Sequence, residues 1–421
     1  MKYNFLRLIL PLFLLLTINV KSQKVIGFIG DWHAMSSNSY FTTGLQYDYL
    51  TDVVLAFILP NSDGSITVNS GSDYYNQLTK MRDELHARGK KIHISAGGWS
   101  ASNTVEGARL NPDPVQEMVN NPEAQEKFVE KILNIVETYN LDGFNMDWEY
   151  PDPSDSYPLE ELLYELRSGL DKVGRTLGKD IELTIAVSAN SVFSSAYTSD
   201  ALTDVDFVYV MAFDNQSANH SSLSFAESGL DYWINSRNVE PSKLILGVPA
   251  YSRGTNALWG EYKDFSNSDP ELYFNDEDGM VGNHAYNSKP ILKQKIDALN
   301  QRGCAGVFMW ELWYDRIDEY SLLRVLYFNV VGSEEIKSEL KKIEILPNPM
   351  SESLIVNIKS TLLNKKTLTY SITNITGKVS LAGNLNPIST QIDASNLKAA
   401  GLYFITISEG GNKVTYKLIK K

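Results

Sequence analysis

The chain has 421 residues, 43% hydrophobic and 21% charged, with a formal net charge of -13. That length allows two domains, and the composition is ordinary for a globular protein. The acidic balance argues against a nucleic-acid partner, which needs a basic face, and suits a neutral or cationic ligand.

Residues 1–22 read as a secretory signal peptide. Lys2 and Arg7 flank an apolar run from Leu8 to Val20, and Val20-Lys21-Ser22 offers small residues for cleavage. The run is short for a membrane span, and Pro11 interrupts it. An exported protein without a membrane helix is therefore expected. The one cysteine, Cys304, reads as a buried filler, so the fold must rely on a large core instead of disulfides. His33, His86, His93, His220 and His284 form no metal-type spacing. Asp276-Glu277-Asp278-Gly279 reads as a solvated loop and not as a calcium loop. No metal and no cofactor are expected.

Residues 23–333 alternate short apolar runs with amphipathic stretches. The expected strands are Val25–Ile29, Val53–Ile58, Lys91–Ser95, Gly143–Trp148, Glu182–Val187, Phe207–Ala212, Leu244–Val248 and Gly306–Met309. Helical patterns fall between them at Asp73–Arg88, Ala124–Tyr139, Leu159–Leu177 and Ile291–Arg302, with Gly89 and Gly303 as stop signals. Eight such repeats predict an α/β fold, a (β/α)8 TIM barrel. A doubly wound open sheet is the alternative, weakened by the lack of a Gly-rich phosphate loop after the first strand. Residues 334–342 read as a Lys/Glu-rich linker. Residues 343–421 carry short alternating strands, from Leu354–Lys359 to Lys413–Ile419, and predict a small all-β sandwich.

Barrel function sits at the carboxyl ends of the strands. In Gly143–Tyr150, side-chain alternation puts Asn145, Asp147 and Glu149 on one face and Phe144, Met146 and Trp148 on the other. Close carboxylates in a buried strand raise each other's pKa and are usually kept for proton chemistry. A structural hydrogen-bond network is the plainer alternative. Other strand ends carry Trp32, Trp99, Asp214, Tyr251, Arg253, Trp310 and Trp313. Aromatic faces beside carboxylates and amides suit a sugar, whose apolar face stacks while its hydroxyls find partners. Trp148 faces the helices by its parity.

At these residues the chain resembles family 18 of the glycoside hydrolases, the chitinase family. Asp142–Glu149 is similar to the DxxDxDxE signature, and Ser95-Ala96-Gly97-Gly98 to the SxGG motif. Residues 246–253 and 306–311 resemble its seventh and eighth strand segments. The resemblance implies retaining, substrate-assisted hydrolysis of β-1,4 bonds at N-acetylglucosamine. It makes Glu149 the acid and Asp147 the group that stabilises the acetamido intermediate. Asn145 would donate to Asp147 and hold it ionised. Trp310 would floor the site, and Trp99, Asp214, Phe213, Tyr150, Tyr251 and Arg253 would contact substrate. Asp142, Ser95, Gly97 and Gly98 would support the motif.

Three positions depart from the family pattern: Asn145 for Asp, Phe213 for Tyr, and Phe28 for a frequent Tyr. Phe213 lacks the hydroxyl of that Tyr, which leaves Asn215, Tyr209 or Tyr251 to replace it. The segment from Arg253 to Pro290 is too short for the larger inserted domain of deep-tunnel chitinases. An open, endo-acting groove is expected, with Trp259, Tyr262, Phe265 and Tyr273 on one wall. The leading reading is a chitinase or chitooligosaccharide hydrolase. An endo-β-N-acetylglucosaminidase acting on the N-glycan core and a non-catalytic glycan binder are the alternatives. The C-terminal module, through Leu346-Pro347-Asn348-Pro349, Ile375-Thr376-Gly377-Lys378 and Ala400-Gly401-Leu402-Tyr403, resembles the type IX secretion sorting domain of Bacteroidetes-type bacteria. That implies the secretion machinery as a partner and an extracellular or cell-surface destination. A monomer is the expected state.

Overall fold

The computed structural model describes residues 23–34, 45–68, 72–104, 108–254, 259–331, 342–359, 368–386, 388–397, 399–409 and 412–421. The expected signal peptide and nearly all of the expected linker lie outside the described residues. Among the described residues no helix is long and apolar enough to cross a membrane.

Eight parallel strands close into a barrel. They are β1 (Lys24–Gly30), β2 (Asp52–Pro60), β3 (Lys91–Gly97), β4 (Gly143–Asp147), β5 (Glu182–Ser188), β6 (Phe207–Met211), β7 (Leu244–Pro249) and β8 (Gly306–Trp310). Each pairs with the next, and β8 returns to β1. The eight expected strands are all present, with ends shifted by one or two residues. The main helices around them are α1 (Ser72–His86), α2 (Pro114–Val119), α3 (Pro122–Thr138), α4 (Ser156–Leu177), α5 (Ser199–Asp204), α6 (Leu223–Asp231), α7 (Lys289–Arg302) and α8 (Leu322–Val330).

Local chemistry explains these boundaries. Asn121 accepts from the Glu123 and Ala124 amides and Pro122 follows it, so α3 starts there. Its Phe128, Ile132, Ile135 and Val136 are buried against the barrel. Each such side chain contributes roughly 1.5–3 kcal/mol. Gly303 closes α7 in the left-handed conformation at φ 73°. Helices α2, α5, α6 and α8 were not legible as periodic segments. The first two are only six residues long, and α8 (LLRVLYFNV) is apolar nearly all round.

The barrel interior has its own small core of Ile26, Phe28, Val54, Phe207, Tyr209, Ile245 and Phe308. A charged plug closes its amino-terminal end. The Lys24 Nζ lies 2.7 Å from Asp52 Oδ1 and 3.0 Å from Glu182. His93, fully buried, brings Nε2 within 3.3 Å of Asp52. Burial pushes the Asp52 carboxyl up, but His93 and Lys24 outweigh it and hold it well below the usual range. Asp52, His93 and Glu182 have the mutual spacing of a metal site, yet Lys24 and Lys91 already pair with the two carboxylates.

Between β7 and β8 a small lobe is built on a four-stranded antiparallel sheet that includes Tyr251–Arg253 and Trp259–Glu261. Tyr262, Phe265, Tyr273 and Tyr286 pack against one another there, with ring centres 5.1–6.2 Å apart. This corrects the expectation that Tyr262, Phe265 and Tyr273 line the groove: they form the lobe's own core. The Trp259 side chain lies outside the described residues.

The C-terminal residues form β9 (Ile343–Leu346), β10 (Ser353–Ile358), β11 (Thr369–Asn374), β12 (Val379–Asn384), β13 (Ser389–Asp393), β14 (Gly401–Glu409) and β15 (Asn412–Lys420). They make two antiparallel sheets, ordered β9-β10-β13 and β12-β11-β14-β15. Leu354, Val356, Ile372, Ile405 and Ile407 belong to one core that both sheets cover. Among the described residues, the sequence pattern missed only β9.

Candidate active site

Strand register assembles the site. Ser95 pairs with Asn145, Asn145 with Thr184, and Gly97 with Asp147. Residues at one level of a barrel meet in its interior. Accordingly Ser95 Oγ donates to Asn145 Oδ1 at 2.7 Å, and Asn145 Nδ2 donates to Thr184 Oγ1 at 2.9 Å. Asn145 therefore does not hold Asp147, contrary to expectation. Its amide is spent across the barrel, because the residues level with it are the two hydroxyls.

Asp147 is 4% exposed, and its Oδ1 has no hydrogen-bond partner among the described residues. Burial pushes its carboxyl up to about 7. Glu149 is half-buried. Burial, then the Asp147 and Asp214 charges, push its carboxyl well above the usual range, against hydrogen bonds from Tyr150 and the Trp99 backbone. Glu149 thus keeps its proton at neutrality, while Asp147 titrates there.

Neighbouring loops fix the main chain around this pair. Gly97 and Gly98 adopt φ of 110° and 78°. The Gly98 amide donates to the Asp147 carbonyl at 2.7 Å. Asn103 Nδ2 donates to the Glu149 carbonyl at 2.8 Å, and Arg109 donates to the Tyr150 carbonyl. Non-proline cis peptides stand at Ala56–Phe57 within β2, at Glu149–Tyr150 just past β4 and at Trp310–Glu311 at the end of β8.

A cavity of about 900 Å³ opens above Asp147 and Glu149. Its floor is aromatic. The Trp310 ring stacks on Phe57 at 5.5 Å and leans on Phe28 at 5.7 Å. Trp32 and Trp99 stand at the mouth, 43% and 45% exposed. Tyr150 stacks on Phe193 at 4.7 Å and 20°. Phe213, Asp214, Asn215 and Arg253 complete the opposite wall. Asp214 Oδ1 accepts from the Tyr251 hydroxyl at 2.8 Å and meets Arg253 Nη1 at 2.8 Å. Burial pushes the Asp214 carboxyl up, but hydrogen bonds from His220, Arg253 and Tyr251 outweigh it, so its carboxyl stays below the usual range.

The fold brings most of the expected residues together, with three exceptions. Tyr251 is buried behind the wall, where it serves Asp214 instead of facing the cavity. Its hydroxyl is thereby committed and does not replace the one missing at Phe213. Asp142 lies at the far end of β4, tied to His86 Nε2, Lys179 Nζ and the Ile92 amide. Trp313 stacks on His33 at 4.9 Å, outside the cavity, and Trp148 faces the helices as its parity required. Phe57, Ser188, Asn190 and Phe193 line the cavity but were missed. Ser188 and Asn190 stood at or just past the end of β5, and Phe57 and Phe193 offered only apolarity.

Comparison with known proteins is consistent with this geometry. The family model described as "Glycosyl hydrolases family 18" matches residues 24–315, and "Secretion system C-terminal sorting domain" matches residues 344–421. "Probable chitinase 10" of Drosophila melanogaster is 22% identical over 362 residues, covering 70% of this chain and 15% of that protein. "Chitinase B" of Serratia marcescens is 23% identical over 289 residues, covering 55% and 57%. The chain thus spans well under two thirds of these relatives' length. A chitinase structure from Bacteroides thetaiotaomicron superposes with a TM-score of 0.62 at 21% identity, covering 74% of this chain and 97% of that one.

Proposed function

We propose that this chain, which belongs to family 18 of the glycosyl hydrolases, cleaves β-1,4 bonds at N-acetylglucosamine with help from the substrate's own acetamido group. The observation that carries this is the buried Asp147–Glu149 pair at the foot of an aromatic cavity, with the Glu149 carboxyl raised well above the usual range. Glu149 gives its proton to the glycosidic oxygen as the C1–O bond breaks. The acetamido oxygen attacks C1 from the other side and closes an oxazolinium ring. Asp147 accepts the acetamido N–H and stabilises the positive charge that develops there. Water then attacks C1 while Glu149 takes its proton, which restores both groups and retains configuration. Trp310 supports the ring, and Asp214 and Trp99 contact the sugars beside it.

An endo-β-N-acetylglucosaminidase is the second reading, favoured by Phe213, which offers no hydroxyl to the acetamido oxygen. A glycan-binding protein without turnover is disfavoured, because a binder gains little from a carboxyl kept unpaired in a buried strand.

The test is product release by the full chain and its Glu149→Gln variant, read by mass. Acetylated oligomers and a high-mannose glycopeptide serve as substrates. Oligomer cleavage that the variant loses supports the first reading. Glycopeptide cleavage alone supports the second. Binding without cleavage of either sinks both.

The C-terminal module is a secretion sorting domain. We propose that residues 1–22 direct the chain out of the cytoplasm, that the module engages type IX export, and that it is removed afterwards. Residues 23–333 then act outside the cell as a monomeric, endo-acting enzyme.

A further inference from the structure

Helix α4 carries a stripe that the barrel site does not use. Tyr157, Glu160, Glu161 and Tyr164 follow at steps of three and one and three, so they share one face. Leu159, Leu162, Leu163 and Leu166 take the buried face. The two tyrosines do not serve the core: Tyr157 is 67% exposed and Tyr164 is 63% exposed. Seven residues advance about 10.5 Å along a helix, so the rings stand roughly two sugar units apart along an extended chain.

Opposite this stripe α5 presents Asp200, Thr203 and Asp204, and the two helices enclose a groove of about 460 Å³. Four carboxylates line it, and no lysine or arginine is among the lining residues. Glu161 accepts from the Tyr157 hydroxyl at 2.6 Å and Glu160 from Thr198 Oγ1 at 2.6 Å, so two of the four are held in place. The Asp204 carboxyl is pushed above the usual range, by burial first and by Asp200 and Glu160 besides, against the pull of Arg167 and Lys243. Helix α4 begins seven residues after Glu149, so Tyr157 stands at the same end of the barrel as the cavity.

Exposed rings beside fixed acceptors recognise a sugar by stacking and hydrogen bonds. A row of carboxylates adds a preference for positive charge. We propose that this groove binds a glycan chain bearing free amino groups, the chemistry of partly deacetylated chitin, outside the catalytic cavity. The identity of the polymer rests on the reading of the cavity; the binding test does not need turnover.

The experiment compares the full chain carrying Glu149→Gln with the same chain also carrying Tyr157→Ala and Tyr164→Ala. Affinity for a soluble, half-deacetylated chitin polymer and for a short, fully acetylated oligomer is measured at low salt and at about 0.5 M salt. The added substitutions are expected to weaken polymer binding about tenfold and leave oligomer binding unchanged. Salt removes a similar share of the polymer affinity. A second variant, Glu160→Gln with Asp204→Asn, keeps both rings and is expected to lose the salt-sensitive part. Polymer affinity that none of these changes moves overturns the proposal. So does tight binding of an oligolysine peptide with no polymer binding, which assigns the groove to basic peptides. If polymer binding holds while acetylated oligomers are never cleaved by the unmodified enzyme, the reading of the cavity fails and this one stands.

Discussion

The Asp147 carbonyl occupies the space where a side chain on Gly97 would begin: a Cβ at position 97 would lie 2.0 Å from that oxygen. Gly97 also has φ of 110°, a conformation that disfavours any other residue. Gly97→Ala is expected to cost about 3 kcal/mol or more, from strain and from the contact together. Denaturant unfolding measures the loss. A variant as stable as the parent would mean that β3 and β4 can separate without harm.

Asp147 titrates near 7 in the folded chain and near 3.8 when unfolded. Between those values the folded state binds the extra proton, so stability falls as pH rises from about 4 to 7. Asp147→Asn is expected to raise the melting temperature at pH 8 and to change it little at pH 4. Activity should fall on the order of a hundredfold or more, the usual cost of losing one group that stabilises developing charge. In the parent enzyme the rate should decline on the alkaline side as Glu149 loses its proton. Loss of both activity and stability at pH 8 would contradict this account.

Phe213 packs 6.4 Å from Tyr251 and 6.0 Å from Phe308, and Tyr251 is already committed to Asp214. Phe213→Tyr should change kcat/KM on acetylated oligomers by less than about tenfold, below the cost usually seen for a missing oxyanion donor. A larger gain would mark the cavity as shaped for a different glycan.

At the other end of the barrel, Lys24→Met leaves Asp52 and Glu182 buried with one cation fewer. Breaking a buried ion pair costs about 3–5 kcal/mol. Calorimetry should show that loss with the folded-state activity preserved, because the plug lies far from the cavity.

Lys295 donates to Ser221 Oγ and Asn287 Oδ1, both at 2.7 Å, in full burial. Burial lowers its amine to about 7. The unfolded chain keeps that proton up to pH 10.5, so this group makes stability rise with pH between about 7 and 10. Lys295→Met should abolish that slope, measured as the melting temperature against pH.

The barrel was legible because its strands are apolar on both faces and its helices on one, so period and length separated them. The carboxylate pair was legible from parity along β4 and the two residues after it. What parity does not carry is the partner across the sheet. Asn145 binds Thr184 and not Asp147 because β5 sets Thr184 level with it, a register fixed 39 residues away. Tyr251 was misread for a like reason. It occupies a motif position, and only three-dimensional depth tells a wall residue from the one behind it. Phe57 and Phe193 carried no signal beyond apolarity, which a buried core residue shares.

The carbonyls of Glu149 and Tyr150 are both held by the loop after β3, through Asn103 and Arg109. The acid's backbone is thus anchored by a segment that contributes no proton of its own. Changes in that loop can re-aim Glu149 while every residue of its signature stays the same. Divergence in bond preference within this architecture can accordingly proceed through residues 99–113, leaving the motif silent about it.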